Sequence, residues 1–194
     1  MLRLSFFALC FVVCVYAEHQ ATVTLSGEKV KGVVKFTKTD KGVVVEGNVT
    51  GLTPGKHGFH VHQFGDLSNG CATTGGHFNP LKKNHGARDA TERHVGDLGN
   101  IEADDKGVAT ISLTDHVIDL EGDNNIIGRA IVVHEGEDDY GLGGHDDSLT
   151  TGHAGGRVAC GIIGRLVNRG LNVSPSLFLT VITSFVITLG FYRR

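Results

Sequence analysis

His60-Val61-His62 places two imidazoles two residues apart. On an extended strand, residues i and i+2 point to the same face, so the pair could act as two ligands on one rigid element. Neutral imidazole suits copper or zinc. On its own the pattern is also compatible with two polar histidines on a solvent face. Further along the chain come His77, His85, His94 and Asp97, then His134 after the apolar run Ile131-Val132-Val133. Three histidines and one aspartate make a complete tetrahedral nitrogen/oxygen set for zinc. Seven candidate ligands are too many for one ion and point to two. A closed His/Asp cage suits zinc, and an all-imidazole site with room for a substrate suits copper.

Short β-strands must position these groups. The predicted strands are Thr22–Leu25, Val30–Thr37, Val43–Val49, Gly58–Phe64, Gly99–Ala103, Val108–Leu113, Arg129–His134 and Ala159–Ile163. Each is rich in β-branched residues and bounded by Gly, Asp, Asn or Lys. With no long helical periodicity between them, the pattern predicts an all-β domain, a sandwich or barrel. Two stretches, 65–96 and 135–157, lack strand character. Loops of that length in a compact domain are usually functional or disordered, and the first contains Cys71 and most of the candidate ligands.

The chain has 194 residues, with 28 Gly and 11 His, and a formal net charge of −3, which excludes a strongly basic nucleic-acid binder. Residues 1–17 read as a secretory signal: a short positive start at Arg3, an apolar run from Leu4 to Tyr16, and small residues at Val15-Tyr16-Ala17. Removing them takes away Cys10 and Cys14 and leaves Cys71 and Cys160. An even count in an oxidising compartment is most simply one disulfide. The domain is expected over 18–168, where 14 Lys and Arg face 21 Asp and Glu, a net of −7. The tail, 169–194, carries an apolar run from Leu177 to Tyr192 closed by Arg193 and Arg194. Sixteen residues fall short of the ~20 that span a bilayer, which leaves a GPI signal and a short span both open. The expectation is an extracellular protein, secreted or tethered to the cell surface. Asn48-Val49-Thr50 is an N-glycosylation sequon.

Gly58-Phe59-His60-Val61-His62-Gln63-Phe64-Gly65-Asp66 resembles the copper-ligand signature of the copper/zinc superoxide dismutase family. Gly76-His77-Phe78-Asn79-Pro80, Lys83-Asn84-His85-Gly86, the run from Arg93 to Asn100, Val133-His134-Glu135 and Gly156-Arg157-Val158-Ala159-Cys160-Gly161 resemble the same family, in order and at similar spacing. The likeness runs from Ala21 to Gly164. It implies an eight-stranded Greek-key β-barrel with two long functional loops, disproportionating superoxide to oxygen and hydrogen peroxide with one Cu2+ and one Zn2+ per subunit.

The resemblance further implies that His60, His62, His77 and His134 bind copper, and that His77, His85, His94 and Asp97 bind zinc, with His77 shared. Asp138 matches the carboxylate linking His60 to His85; alone, inside Glu135-Gly136-Glu137-Asp138-Asp139, it reads as part of a solvated acidic run. Arg157 matches the residue that attracts the superoxide anion; alone it reads as a surface charge. Cys71 and Cys160 match the family's disulfide. Phe64, Gly65, Ile127 and Gly128 match its homodimer surface, whereas Arg165 stands where an apolar residue often does. His153 replaces a common Asn, and Leu149 and Thr150 occupy positions where some members have Lys. A copper-delivery protein on the same fold often lacks a ligand and carries an added Cys-x-x-Cys domain; this chain has every ligand and no Cys-x-x-Cys.

Overall fold

The computed structural model describes residues 19–166, so the leader expected at 1–17 and the tail at 169–194 lie outside the described residues. Ten strands follow one another: β1 (Gln20–Ser26), β2 (Lys31–Thr39), β3 (Gly42–Thr50), β4 (Gly55–His62), β5 (Ser68–Cys71), β6 (Asp97–Ala103), β7 (Val108–Asp115), β8 (Ala130–His134), β9 (Arg157–Ile162) and β10 (Gly164–Leu166). Ala72–Thr74 forms a 3-10 turn and Ser148–Thr151 one helical turn, α1.

The period of two in the sequence becomes the inside and outside of a barrel. On β1, Ala21, Val23 and Leu25 are buried and the residues between them are not. On β2, Val34 and Phe36 are buried, and on β3, Val43, Val45 and Val49. The sheet order is β10-β1-β2-β3-β7-β6-β4-β8-β9, antiparallel throughout, and β1 also pairs with β9. Eight strands therefore close into a barrel, with β10 as an extra partner of β1. The links from β3 to β4 and from β7 to β8 each cross two strands, which is Greek-key connectivity.

The barrel's closing seam is narrow. β1 meets β9 in register at Ser26 with Cys160, and meets β10 at Gln20, Ala21 and Thr22. At this seam Gly161 lies so close to β1 that a β-carbon there would stand 2.2 Å from the Thr24 carbonyl oxygen.

The predicted strands exist, with shifted ends. The strand expected to reach Phe64 stops at His62, and that expected to begin at Gly99 begins at Asp97. Four short elements were not predicted, the 3-10 turn at Ala72–Thr74 among them. β5 has the sequence SNGC and α1 has SLTT, both too short and polar for periodicity to show, and β10 spans only Gly164–Leu166.

Candidate metal centre

Pleating on β4 sets the first two ligands. Phe59 and Val61 point into the apolar core, and burial of each contributes on the order of 1.5–3 kcal/mol. The alternation then forces His60 and His62 to the opposite face. That face is also buried, because the loop 63–96 folds back over it. Gln63 N donates to Gly76 O (2.8 Å), Phe78 N to Val61 O (2.8 Å) and Gly96 N to Phe78 O (2.9 Å). β8 runs beside β4, and a register shift at its end turns His134 toward the same cluster. A second irregularity lies between Gly58 and His60, where β4 pairs Asp97 of β6. Bulges of this kind re-aim side chains at functional sites.

Two ligand sets result among the described residues. In the first, the candidate ligand atoms of His60, His62, His77 and His134 all lie within 4.8 Å of one another; in the second, those of His77, His85, His94 and Asp97 do. His77 belongs to both. All seven side chains are buried.

Hydrogen bonds fix which nitrogen each imidazole offers. His62 Nδ1 donates to Gly75 O (2.9 Å) and His134 Nδ1 donates to Gly155 O (3.1 Å). Both Nε2 atoms therefore carry lone pairs, and they face each other at 3.3 Å. Two buried acceptors so placed need a cation between them. His60 Nε2 donates to Asp138 Oδ2 (2.8 Å), which leaves its buried Nδ1 without a partner. His77 Nε2 is also buried without a partner. A buried polar atom left unsatisfied costs ~1–3 kcal/mol unless something binds it.

The second set converges on one oxygen. Asp97 Oδ1 lies 2.8 Å from His77 Nδ1, 3.0 Å from His85 Nδ1 and 3.2 Å from His94 Nδ1. His94 Nδ1 and His77 Nδ1 are 3.4 Å apart. Ligand atoms ~2.0–2.1 Å from a tetrahedral zinc would stand about 3.3 Å apart, so this cage fits zinc. The other oxygen, Asp97 Oδ2, accepts from the main-chain N–H of His94 (2.7 Å) and of Gly86 (3.1 Å), which fixes the carboxylate's rotation.

Asp138 ties the two sets together. Its Oδ2 takes His60 Nε2, and its Oδ1 takes His85 Nε2 at 2.7 Å. The side chain is fully buried, so the solvated acidic run suggested by local sequence is not what forms here. The loop covers it with Gly152, whose φ is +66°; a β-carbon there would lie 2.1 Å from Asp138 Oδ1. Burial opposes charge on His85, but its bonds to Asp138 and Asp97 outweigh that and push its pKa up to about 9. Burial holds His60 and His77 below the ordinary imidazole range and moves His134 down to about 4, so these rings are neutral donors at pH 7.

Arg157 begins β9 and is half-buried rather than a free surface charge. Its guanidinium donates to Cys71 O (2.7 Å), Thr74 Oγ1 (2.9 Å) and Gly75 O (2.8 Å). Gly75 O is the acceptor that also orients His62. Cys71 and Cys160 form a disulfide that holds this loop against β9. Sequence reasoning missed His57, which donates to the His134 carbonyl (2.9 Å), and the buried Arg93–Asp115 pair (2.7 Å) behind the second cage. Arg93 sits within a quoted motif, but no local pattern marks its partner.

The comparisons with known proteins agree. The family model for copper/zinc superoxide dismutase (SODC) matches residues 30–163. Superoxide dismutase [Cu-Zn] A of Xenopus laevis is 56% identical over 147 residues, which cover 75% of this chain and 97% of that protein. The solved structure of the clock protein EA4 superposes with a TM-score of 0.75 at 53% identity, covering 77% of this chain and 96% of that one. The matched span contains every residue of both ligand sets, and this chain belongs to the copper/zinc superoxide dismutase family.

Proposed function

We propose that His60, His62, His77 and His134 hold the copper of this superoxide dismutase and that His77, His85, His94 and Asp97 hold its zinc. The facing lone pairs of His62 and His134, beside the orphaned His60 Nδ1, carry this reading. An all-nitrogen set suits copper, and a closed three-His, one-Asp set suits zinc. Elemental analysis of purified protein is expected to give one copper and one zinc per chain. Held by these four imidazoles, copper would supply the one-electron redox chemistry that converts one superoxide to oxygen and the next to peroxide. The protein does the rest. His77 presents Nδ1 to one cage and Nε2 to the other, so Nε2 can hold a proton for peroxide when it is not a ligand. Asp138 and Asp97 keep the ring orientations fixed through the cycle.

Arg157 supplies the attraction for the anion. Residues 130–164 contain six carboxylates and no other Lys or Arg. A unit charge ~6 Å from superoxide at an effective dielectric of ~20 is worth roughly 3 kcal/mol, and solvent at an open mouth reduces this to about 1–2, or about tenfold in rate. Arg157→Glu is therefore expected to slow superoxide decay more than Arg157→Ala, with metal content unchanged in both. The wild-type rate should fall as salt rises, and the Glu variant should lose or invert that slope. Equal salt slopes in pulse radiolysis for all three would reduce Arg157 to a structural residue.

The chain is further read as extracellular: a signal at 1–17 and a domain at 18–168, with the tail at 169–194 tethering it to the cell surface. Asn48 supports a glycan, being exposed on β3 with its Oδ1 bonded only to Thr110 Oγ1 (3.0 Å). A homodimer is supported by Phe64 and Ile162, 50% and 44% exposed, flanking Gly65, which packs on Gly128. Arg165 donates to Leu120 O at 3.0 Å. Expressed in secretory cells, the full chain should be released from membranes by phosphatidylinositol-specific phospholipase. Full-length protein free in the medium would refute tethering, and retention after lipase and salt would favour a span.

A further inference from the structure

Among the described residues, two exposed histidines stand together away from the buried cluster. His145 and His153 lie on the loop 135–157, on either side of α1, and both are exposed. Their rings stack with centroids 3.7 Å apart and planes 15° apart. His153 Nδ1 donates to Asp147 Oδ1 at 2.7 Å. This is the arrangement by which a carboxylate fixes the tautomer of a ligating histidine and leaves its Nε2 as a lone pair. The His145 ring makes no hydrogen bond, while its main chain is anchored: its N donates to Ser148 Oγ (2.9 Å) and its O accepts from Ser148 N (3.1 Å). Asp146, also exposed, adds a carboxylate beside them.

The backbone adds a second observation. His153 has a φ of +51°, in the left-handed region that residues with a β-carbon adopt uncommonly. Its ring packs on that of His145, which lies on the other side of α1. Two imidazoles and nearby carboxylates suit a borderline divalent cation, whereas Mg2+ and Ca2+ prefer oxygen.

We propose that His145 and His153 form a surface chelate for one borderline divalent ion, Cu2+, Ni2+ or Zn2+, with Asp147 orienting His153. Stacked parallel rings do not share an in-plane point, so binding requires His145 to rotate about its side-chain torsions. No side-chain hydrogen bond opposes that rotation. The site is distinct from the two buried sets and does not depend on which ion each of those holds. Its loop is the one that carries Asp138 and Arg157. Occupancy would add two positive charges to a segment whose carboxylates outnumber its single arginine, and would tie the two ends of α1 together.

The test uses full-length protein already carrying its copper and zinc, titrated with Ni2+ at pH 7.5, with copper and zinc counted in the same samples. Ni2+ uptake then reports new sites alone. The wild type is expected to take up one saturable Ni2+ per chain with copper and zinc retained. His145→Asn and His153→Asn should each weaken that uptake by roughly tenfold or more, and the double variant should abolish it. Asn tolerates the left-handed backbone at 153, so the loop should persist. His116→Asn, at another exposed histidine of the described residues, and His19→Asn, at a half-buried one paired with Glu121, should leave it unchanged. Lowering the pH to 5.5 should release the ion, because protons compete for the same nitrogens. Unchanged uptake in the double variant, or no saturable uptake by the wild type, would overturn the proposal.

Discussion

His134→Ala is expected to lose copper and nearly all superoxide dismutation while keeping close to one zinc per chain. His134 contributes Nε2 to the four-histidine set and nothing to the other cage. Its removal leaves His62 Nε2 facing an empty position instead of a partner at 3.3 Å. Partners that merely orient a ligand are commonly worth 10–100-fold in affinity or activity, so losing a ligand itself should cost at least about 100-fold in rate. The proposed zinc cage has no atom from β8. Its four ligands come from the loop 63–96 and the start of β6, and Asp97 Oδ2 stays fixed by two main-chain N–H groups. Elemental analysis beside a superoxide assay measures both quantities. Wild-type activity would refute the copper assignment, and parallel loss of zinc would show that the cages do not stand apart.

Removing the disulfide should have the second-largest effect, on stability rather than chemistry. Cys71 and Cys160 are 89 residues apart in sequence. The loop-closure model gives on the order of 4–5 kcal/mol for a crosslink of this span. At ~2–4 °C per kcal/mol for a domain of this size, the Cys71→Ser, Cys160→Ser variant should melt roughly 10–20 °C lower. Activity should fall as well, because Cys71 O is an acceptor for Arg157 and the freed loop would loosen the guanidinium. Scanning calorimetry of metal-loaded protein without reductant checks this, and an unchanged melting temperature would show that the bridge adds nothing.

The two buried clusters of candidate ligands were legible because chemistry and pleat coincide. His60 and His62 fall on one face of β4 by period alone, and the β-branched run Ile131-Val132-Val133 marked β8. The order of motif blocks pointed to the remaining members of those clusters. Asp138 was not legible locally. An acidic run looks solvated, and only the long-range bonds to His60 and His85 show that one of its carboxylates is fully buried. Arg157 likewise looks like a surface charge until the carbonyls of Cys71 and Gly75 converge on it across more than 80 residues. Strands of three or four residues leave too short a pattern to detect, which is why β5 and β10 were missed.

The narrow join between β1 and β9 sets how this molecule could fail. A closed barrel has no edge to offer a neighbour, and here that closure depends on Ser26 meeting Cys160, with Gly161 admitting the Thr24 carbonyl. Any side chain larger than hydrogen at 161 would act as a wedge. The opened sheet would then present two rows of unsatisfied amides and carbonyls, one on each side, able to template a second molecule and then a third. Such growth is head-to-tail and runs on as an open filament wherever its rotation does not close a ring. A single methyl group at one glycine could thus turn a discrete enzyme into the unit of a filament, with every metal ligand still in place.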